Sequence, residues 1–297
     1  MKKPFKILAF LLAWPSLAIA TAGADFLLLD LNAKSLAQAG AMGAGSQGLS
    51  QLRHNPSSLG QFRRFEASLT HVEAFGEWTH DLLALEEPSS VGNFAVEFQW
   101  SRIKPFTYYD ANGDEAGTLQ AGTQLLGLAW AGRSASKQFG VGLRLKGFLS
   151  QLAEYGNWGY AIDIGLDARS KTGLFNVALS LHNLGEQTTF YQYREELPLY
   201  FCFSSALESD PSAQLGFRLA ADLLSFADSY HPFEIRLGGQ ASVLKLLQLR
   251  AGMRFQSSQW SPSFGGGIKL KFGEISYALM PDNFLGLTHA LTLEVWP

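Results

Sequence analysis

Residues Leu36 to Gly60 read LAQAGAMGAGSQGLSQLRHNPSSLG. The stretch is rich in Gly, Ala and Ser and carries Asn55-Pro56-Ser57 near its end. It is too apolar and small-residued for an exposed tail, and its glycines interrupt it too often for a long helix. Nearly everything after it alternates apolar and polar residues with a period of two. The stretch therefore reads as a compact segment packed inside a ring of strands, with Gly40, Gly43, Gly45, Asn55 and Pro56 as the positions that shape it.

The alternation begins at Phe65, where Phe65, Ala67 and Leu69 oppose Glu66, Ser68 and Thr70. It recurs over Trp78 to Leu85, Asn93 to Trp100, Leu125 to Ala131, Phe139 to Leu149, Trp158 to Leu166, Phe175 to His182, Leu199 to Leu207 and Leu215 to Leu223. In the last third, runs around Ile235, Leu249, Ile268, Tyr277 and Leu291 repeat it, for about fourteen strands in all. Short turns are expected at Lys171-Thr172-Gly173, Leu244-Lys245 and Phe272-Gly273. Longer connections are expected at Lys104 to Thr118, Gly185 to Glu196, Gln256 to Ser261 and Met280 to Gly286.

Such alternation suits a soluble sandwich with its apolar face inward, or a membrane barrel with its apolar face toward lipid. Three features favour the barrel. Many runs are about eight to eleven residues long, near the length of a tilted bilayer crossing. Aromatic residues (Trp78, Trp100, Trp130, Trp158, Tyr160, Tyr200, Tyr277) fall near strand ends, where interfacial girdles lie. The polar face mixes bulky charge with Gly and Ala, as a partly filled interior requires. The fold class read from the sequence is thus all-β: a transmembrane antiparallel β-barrel of about fourteen strands around an N-terminal lumenal segment.

Upstream, Lys2, Lys3 and Lys6 precede the apolar run Ile7 to Leu17, and Ala18-Ile19-Ala20 fits a cleavage site. Residues 1–20 are expected to be a signal peptide cleaved between 20 and 24, residues 25–62 the lumenal segment, and 63–297 the barrel. Net charge is -3 at neutral pH, which gives no basic surface for nucleic acid. Cys202 is the single cysteine, so an internal disulfide is excluded.

The small-residue run Ala39 to Gly45, the Asn-Pro-small-small-Leu element at Asn55 to Leu59 and the strand that follows resemble the start of PorV/PorQ-type outer-membrane proteins, relatives of the FadL long-chain fatty-acid transporters. Ser180-Leu181-His182-Asn183-Leu184-Gly185, Leu197-Pro198-Leu199 and Leu249-Arg250-Ala251-Gly252 extend the resemblance. So does Tyr108-Tyr109-Asp110-Ala111-Asn112-Gly113. The resemblance implies a hatch over residues 25–62 and a place in the outer membrane of a Gram-negative bacterium. It also implies a role either in type IX secretion, with a secretion-machinery protein as partner, or in passage of hydrophobic molecules. A structural barrel without transport is the remaining reading. The sequence departs from the family before Asn-Pro, where Ser46, Gln47, Ser50, Gln51, Arg53 and His54 replace the usual acidic residues, and at its end, Val295-Trp296-Pro297.

Catalytic signatures are not apparent: there is no G-x-S-x-G nucleophile motif, and the six histidines lack metal spacing. Asp110, Asn112, Asp114 and Glu115 approach the oxygen spacing of a Ca²⁺ loop, but Gly113 comes too early, so an Asn-Gly turn is the better reading. No enzyme activity, cofactor or metal is therefore expected. The polar face carries Arg250, Arg254, Lys269 and Lys271 on neighbouring strands, a candidate lumenal basic stripe. It either belongs to a salt-bridge lattice or holds a ligand carboxylate. Outer-membrane lipid is the expected surrounding of the outer face.

Overall fold

The computed structural model describes residues 24–45, 48–75, 77–189, 196–210, 213–257, 259–282 and 286–297. The expected signal peptide, and Ser46 and Gln47, lie outside the described residues.

Sixteen strands follow in chain order: β1 (Glu66–Ala74), β2 (Trp78–Ser89), β3 (Gly92–Ile103), β4 (Phe106–Tyr109), β5 (Glu115–Leu119), β6 (Ala121–Arg133), β7 (Phe139–Leu152) and β8 (Tyr155–Arg169). The chain continues with β9 (Phe175–Gln187), β10 (Tyr200–Glu208), β11 (Leu215–Phe226), β12 (Glu234–Val243), β13 (Leu247–Gln256), β14 (Gln259–Leu270), β15 (Gly273–Asp282) and β16 (Gly286–Val295). Fourteen of them form one closed antiparallel barrel in chain order; β4 and β5 stand apart as a two-stranded hairpin between β3 and β6. The barrel closes where β1 pairs with β16, Ala67 opposite Val295. Closure leaves no barrel strand with an unpaired edge.

The alternation reports which face is which. In β7, Val141, Leu143 and Leu145 point outward and Gly142, Arg144 and Lys146 point inward and are buried. In β6, Leu126, Leu128 and Trp130 point outward against inward Leu125, Gly127 and Ala129. The same division holds at Phe94, Val96 and Phe98 on β3 and at Ile275 and Tyr277 on β15. Leu128 is 53% exposed and Asp163 fully buried, the reverse of a water-soluble domain. An apolar sleeve around a charged interior is stable when the sleeve meets hydrocarbon and the buried charges meet one another.

Two expected loops are shorter than the sequence suggests. β13 runs to Gln256 and β14 starts at Gln259, while β15 reaches Asp282 and β16 starts at Gly286. Pro262 and Pro281 sit within these strands, opposite Met253 and Leu287. The expected loop at Lys104 to Thr118 holds the β4–β5 hairpin. The longest connections, β3–β6 and β9–β10, share the rim away from the β1 start and the β16 end.

Inside the barrel lies the N-terminal segment, residues 24–45 and 48–62. It has a short α-helix, α1 (Ala33–Leu36), and single 3-10 turns at Asp25–Leu28, Gly48–Gln51 and Pro56–Gln61. Asn32 caps α1 by accepting the Lys34 amide, and Asn55 caps the Pro56 turn by accepting the Ser57 amide. Gly40 and Gly45 occupy left-handed backbone, φ +78° and +105°, which glycine adopts without a Cβ clash.

Candidate functional site

The segment is seated against both sides of the lumen by inward-facing wall glycines. A Cβ on Gly252 would lie 2.2 Å from the Gln38 carbonyl carbon, and one on Gly265 2.5 Å from the Ala37 methyl. Across the lumen, a Cβ on Gly142 would lie 2.3 Å from Pro56. The sequence sees these residues as weak strand formers; in the barrel they are the sockets into which the segment fits.

Charged pairs lock the segment in place. Arg218 donates from Nη1 to Gln38 Oε1 at 2.7 Å and from Nη2 to the carbonyls of Ala41 and Ala44 at 3.0 and 2.7 Å. Asp222 Oδ2 accepts the amides of Met42 and Gly43 at 3.0 and 2.9 Å. Gly43 has no room for more: a Cβ there would meet Ser204 Oγ at 1.9 Å. Lys34 pairs with Glu294 and, at 3.1 Å, with Glu274. Burial lowers the Lys34 ammonium's affinity for its proton, but the charges of Glu294 and Glu274 outweigh this and hold its pKa above the ordinary value.

Within the segment, Ser35 Oγ donates to Asp30 at 2.5 Å and lies 2.7 Å from His54 Nε2. Burial pushes the Asp30 carboxyl up, yet the His54 hydrogen bond and charge, Ser35 and the charge of Arg236 together hold it below its usual range.

On the opposite wall a β-bulge concentrates charge. Ile162 pairs with Leu184 and Ile164 with Leu181, so His182 and Asn183 both oppose Asp163. Both side chains are buried inward. Asp163 accepts from Lys146 at 2.6 Å, from Arg144 at 2.8 Å and from the Asn183 amide at 2.8 Å. Arg144 also bonds Glu97 through Nε at 2.8 Å. His182 Nε2 meets the His54 carbonyl at 3.0 Å, joining this cluster to the segment.

The candidate basic stripe is divided among different surroundings. Arg250 is held by Glu274 at 2.5 Å, Gln240 at 2.8 Å and Ser276 at 3.2 Å. Arg254 lies 3.3 Å from Glu234, which also takes Arg236 at 2.5 Å. Lys269 lies at the rim, 6.0 Å from the Trp296 ring, because the register pairs Leu247 with Ile268 and leaves Lys269 beyond the end of β13. Lys271 is exposed in the β14–β15 turn. Arg250 and Arg254 thus stand in an ion-pair lattice, and the two lysines flank the rim. Trp296, inward as the alternation implies, donates to the Lys271 carbonyl at 2.9 Å and has the Arg64 guanidinium 4.1 Å from its ring centre.

Among the described residues, space is left on both sides of the segment. Toward the β1 start and the β16 end is a polar recess of about 330 Å³ lined by Lys34, Arg64, Lys269, Glu274 and Trp296 among others. Toward the other rim is a cavity of about 390 Å³ with apolar walls from Phe26, Leu29, Trp78, Ile103 and Leu152 and polar groups from His80 and Asn157. A neighbouring recess of about 630 Å³ shares Thr123, Ser150 and Asn157 with it and reaches outward-facing Trp100, Leu149 and Trp158. The two recesses thus share lining at the ends of β6, β7 and β8, where these strands remain paired.

The sequence reading missed this cavity. Trp78 was expected in an interfacial girdle, but it lies on the inward side of β2 with His80. Tyr200, also expected there, is buried inside and stacks on His182 with ring centres 4.5 Å apart. The parity of β2 was the available signal: Leu83 and Leu85 face outward, which puts Trp78, His80 and Leu82 inside.

A closed antiparallel β-barrel of the outer-membrane kind, with its N-terminal segment folded in the lumen, is the class that these features define. No protein-family model matches the sequence, and no curated protein is similar to it in sequence. Solved structures share the fold. The toluene transporter TbuX of Ralstonia pickettii superposes with a TM-score of 0.66 at 11% identity, covering 91% of this chain and 99% of TbuX. The toluene transporter TodX of Pseudomonas putida gives 0.64 at 11% identity, covering 89% and 96%. A FadL homologue of Pseudomonas aeruginosa gives 0.57 at 9% identity, covering 89% and 98%.

Proposed function

We propose that this chain is a bacterial outer-membrane barrel of the FadL kind that passes small hydrophobic molecules inward past an N-terminal hatch. The observation that carries the reading is the apolar-walled cavity of about 390 Å³ between the long-loop rim and the segment, continuous in its lining with a recess on the outer side of the wall. The longer connections make that rim the extracellular one. A ligand collected there meets the hatch, whose buried side chains fill the lumen below. Passage requires the segment to shift against its glycine sockets, or the ligand to leave sideways beside β6 to β8. The described fold neighbours include proteins characterised as toluene transporters, which supports the choice of cargo. No catalytic group or cofactor has a part in this scheme.

Uptake of a labelled hydrophobic compound by host cells lacking their own transporters tests it. Cells producing the chain should take up toluene faster than cells with empty vector, and Ser101→Trp, which fills the cavity, should lower the rate at least about fivefold. Equal uptake with and without the chain overturns the reading.

A second reading, a component of type IX secretion of the PorV/PorQ type, is favoured by the sequence resemblance through the hatch and the later strands. The projecting β4–β5 hairpin is its natural docking element. Affinity capture of a secretion-machinery protein, lost on deletion of residues 106–119, would move the assignment to it.

A further inference from the structure

We propose that the outer cavity selects small neutral amphiphiles, an alcohol or phenol on an apolar body, over unsubstituted hydrocarbons. This rests on the reading above, that the cavity is a station on the ligand's path, and names the chemistry of its cargo.

The walls are apolar, but the cavity also gathers polar atoms that have no hydrogen-bond partner among the described residues. They are both ring nitrogens of His80, Thr123 Oγ1, Ser150 Oγ and Asn157 Oδ1, each almost wholly covered by its neighbours, so a ligand engages them by displacing those side chains. His80 is 3% exposed, so its ring is committed to this interior space. Asn157 is oriented by its amide donating to Gln187 at 3.0 Å, and its carbonyl oxygen has no donor among the described residues. Together the five atoms offer hydroxyl and imidazole donors beside amide and imidazole acceptors, the complement of a hydroxyl group, which both donates and accepts.

Energetics decide the preference. A buried polar atom without a partner is costly. A hydrocarbon leaves these atoms unpaired, whereas a hydroxyl group that reaches them supplies the missing bonds. Sites built to bind a hydroxyl discriminate strongly against the analogue lacking it. A carboxylate is disfavoured for a different reason. Asp25 lines the same cavity, and Arg102, the one guanidinium among its described lining residues, already pairs with Asp81 at 3.3 Å and lies 4.4 Å from the Trp100 ring centre. Size narrows the class further. A cavity of about 390 Å³ sits low in the range of ligand pockets, about 300–1,000 Å³, which suits one ring or a short chain rather than a long acyl tail.

The test uses 4-phenylbutan-1-ol and pentylbenzene, which have the same number of heavy atoms and differ by a hydroxyl in place of a methyl. Binding to the full chain in lipid nanodiscs is followed by tryptophan fluorescence, with empty nanodiscs correcting for partition into lipid. The alcohol should bind at least about tenfold more tightly than the hydrocarbon, a difference of about 1.4 kcal/mol. His80→Phe should cut that ratio at least about fivefold. Ser150→Ala, a smaller change, should also lower it and serves if His80→Phe fails to assemble, assembly being read by heat-modifiable gel migration. Equal affinities for the two probes overturn the proposal and leave the transport reading standing, as does a ratio unchanged in both variants. Binding of neither probe overturns the transport reading and this proposal with it.

Discussion

Asn55 occupies the space that a side chain on Gly165 would need: a Cβ at Gly165 would lie 1.9 Å from the Asn55 amide oxygen. The same oxygen accepts the Ser57 amide at 3.0 Å and the Ser57 hydroxyl at 2.8 Å, while its amide nitrogen donates to the Gly43 carbonyl at 3.0 Å. One residue thus ties two turns of the segment together and keys them into the wall. Asn55→Ala should weaken docking by about 1–2 kcal/mol through loss of the cap and its stranded partners. Gly165→Leu should expel the Asn55 turn while the barrel still forms. Both variants should migrate as folded barrels on gels, and single-channel recordings should show openings more frequent than in the parent, with Gly165→Leu the stronger.

Arg218 bonds three acceptors of the segment from the far wall. Arg218→Met removes the charge and leaves the carbonyls of Ala41 and Ala44 without these donors. A broken buried charge network costs about 3–5 kcal/mol, because Glu208, 3.4 Å from the Arg218 Nε, loses this cation neighbour. Hydrogen exchange over residues 36–45 should accelerate by orders of magnitude while the strand amides stay protected.

Docking should also depend on pH. The docked Asp30 carboxyl ionises more readily than a free one, so its ionised form strengthens docking above about pH 3.9, the ordinary value, and the contribution is lost as pH falls through the lower docked value. The docked Lys34 ammonium holds its proton more firmly, so its contribution is complete below about pH 10.4 and is lost as pH rises through the higher docked value. Bilayer conductance should therefore be lowest between these limits and rise on strong acidification. Asp30→Asn should flatten the acid limb, and an unchanged acid limb would assign the response to other groups.

The outer sleeve offers a separate check. Leu128 points outward near the middle of β6, flanked on the same face by Leu126 and Trp130. Leu128→Arg at mid-bilayer depth should cost about 2–4 kcal/mol in denaturant unfolding from lipid vesicles. Ala129→Ser, one residue along and facing the lumen, should change the same midpoint little. Equal effects at the two positions would mean that the sleeve does not face hydrocarbon.

The strands were legible because each keeps one apolar face over many residues; Phe139 to Leu149 needed only its parity to be read. Boundaries were less so where a proline sat inside a strand. Pro281 falls in the stretch expected to be the Met280 to Gly286 connection and Pro262 just after the one at Gln256 to Ser261, yet each is paired on one side only, where a missing N–H costs the ladder little. The small-residue stretch at Leu36 to Gly60 was readable as interior filling, but its wall sockets were not, since a glycine in a strand looks the same whether it faces lipid, lumen or plug. The bulge at His182-Asn183 was hidden because both residues are polar and alternation assigns one of them outward. The lysines at 269 and 271 were grouped with Arg250 by parity alone; the register that carries them past β13 depends on where the turn at Leu244 to Leu246 closes. The cavity is not legible because its polar atoms come from β2, β6, β7 and β8, which the curvature of the sheet brings around one space.

The partners of Lys34 have a consequence for biogenesis. Glu274 and Glu294 stand on β15 and β16, and Arg64 meets Trp296 where β16 joins β1. Until those final strands arrive, the cation at the head of the chain lacks its counter-ions, and after they zip to the first strand it is surrounded. Sealing the cylinder and trapping its contents are then a single event, so maturation should show no empty ring waiting to be filled.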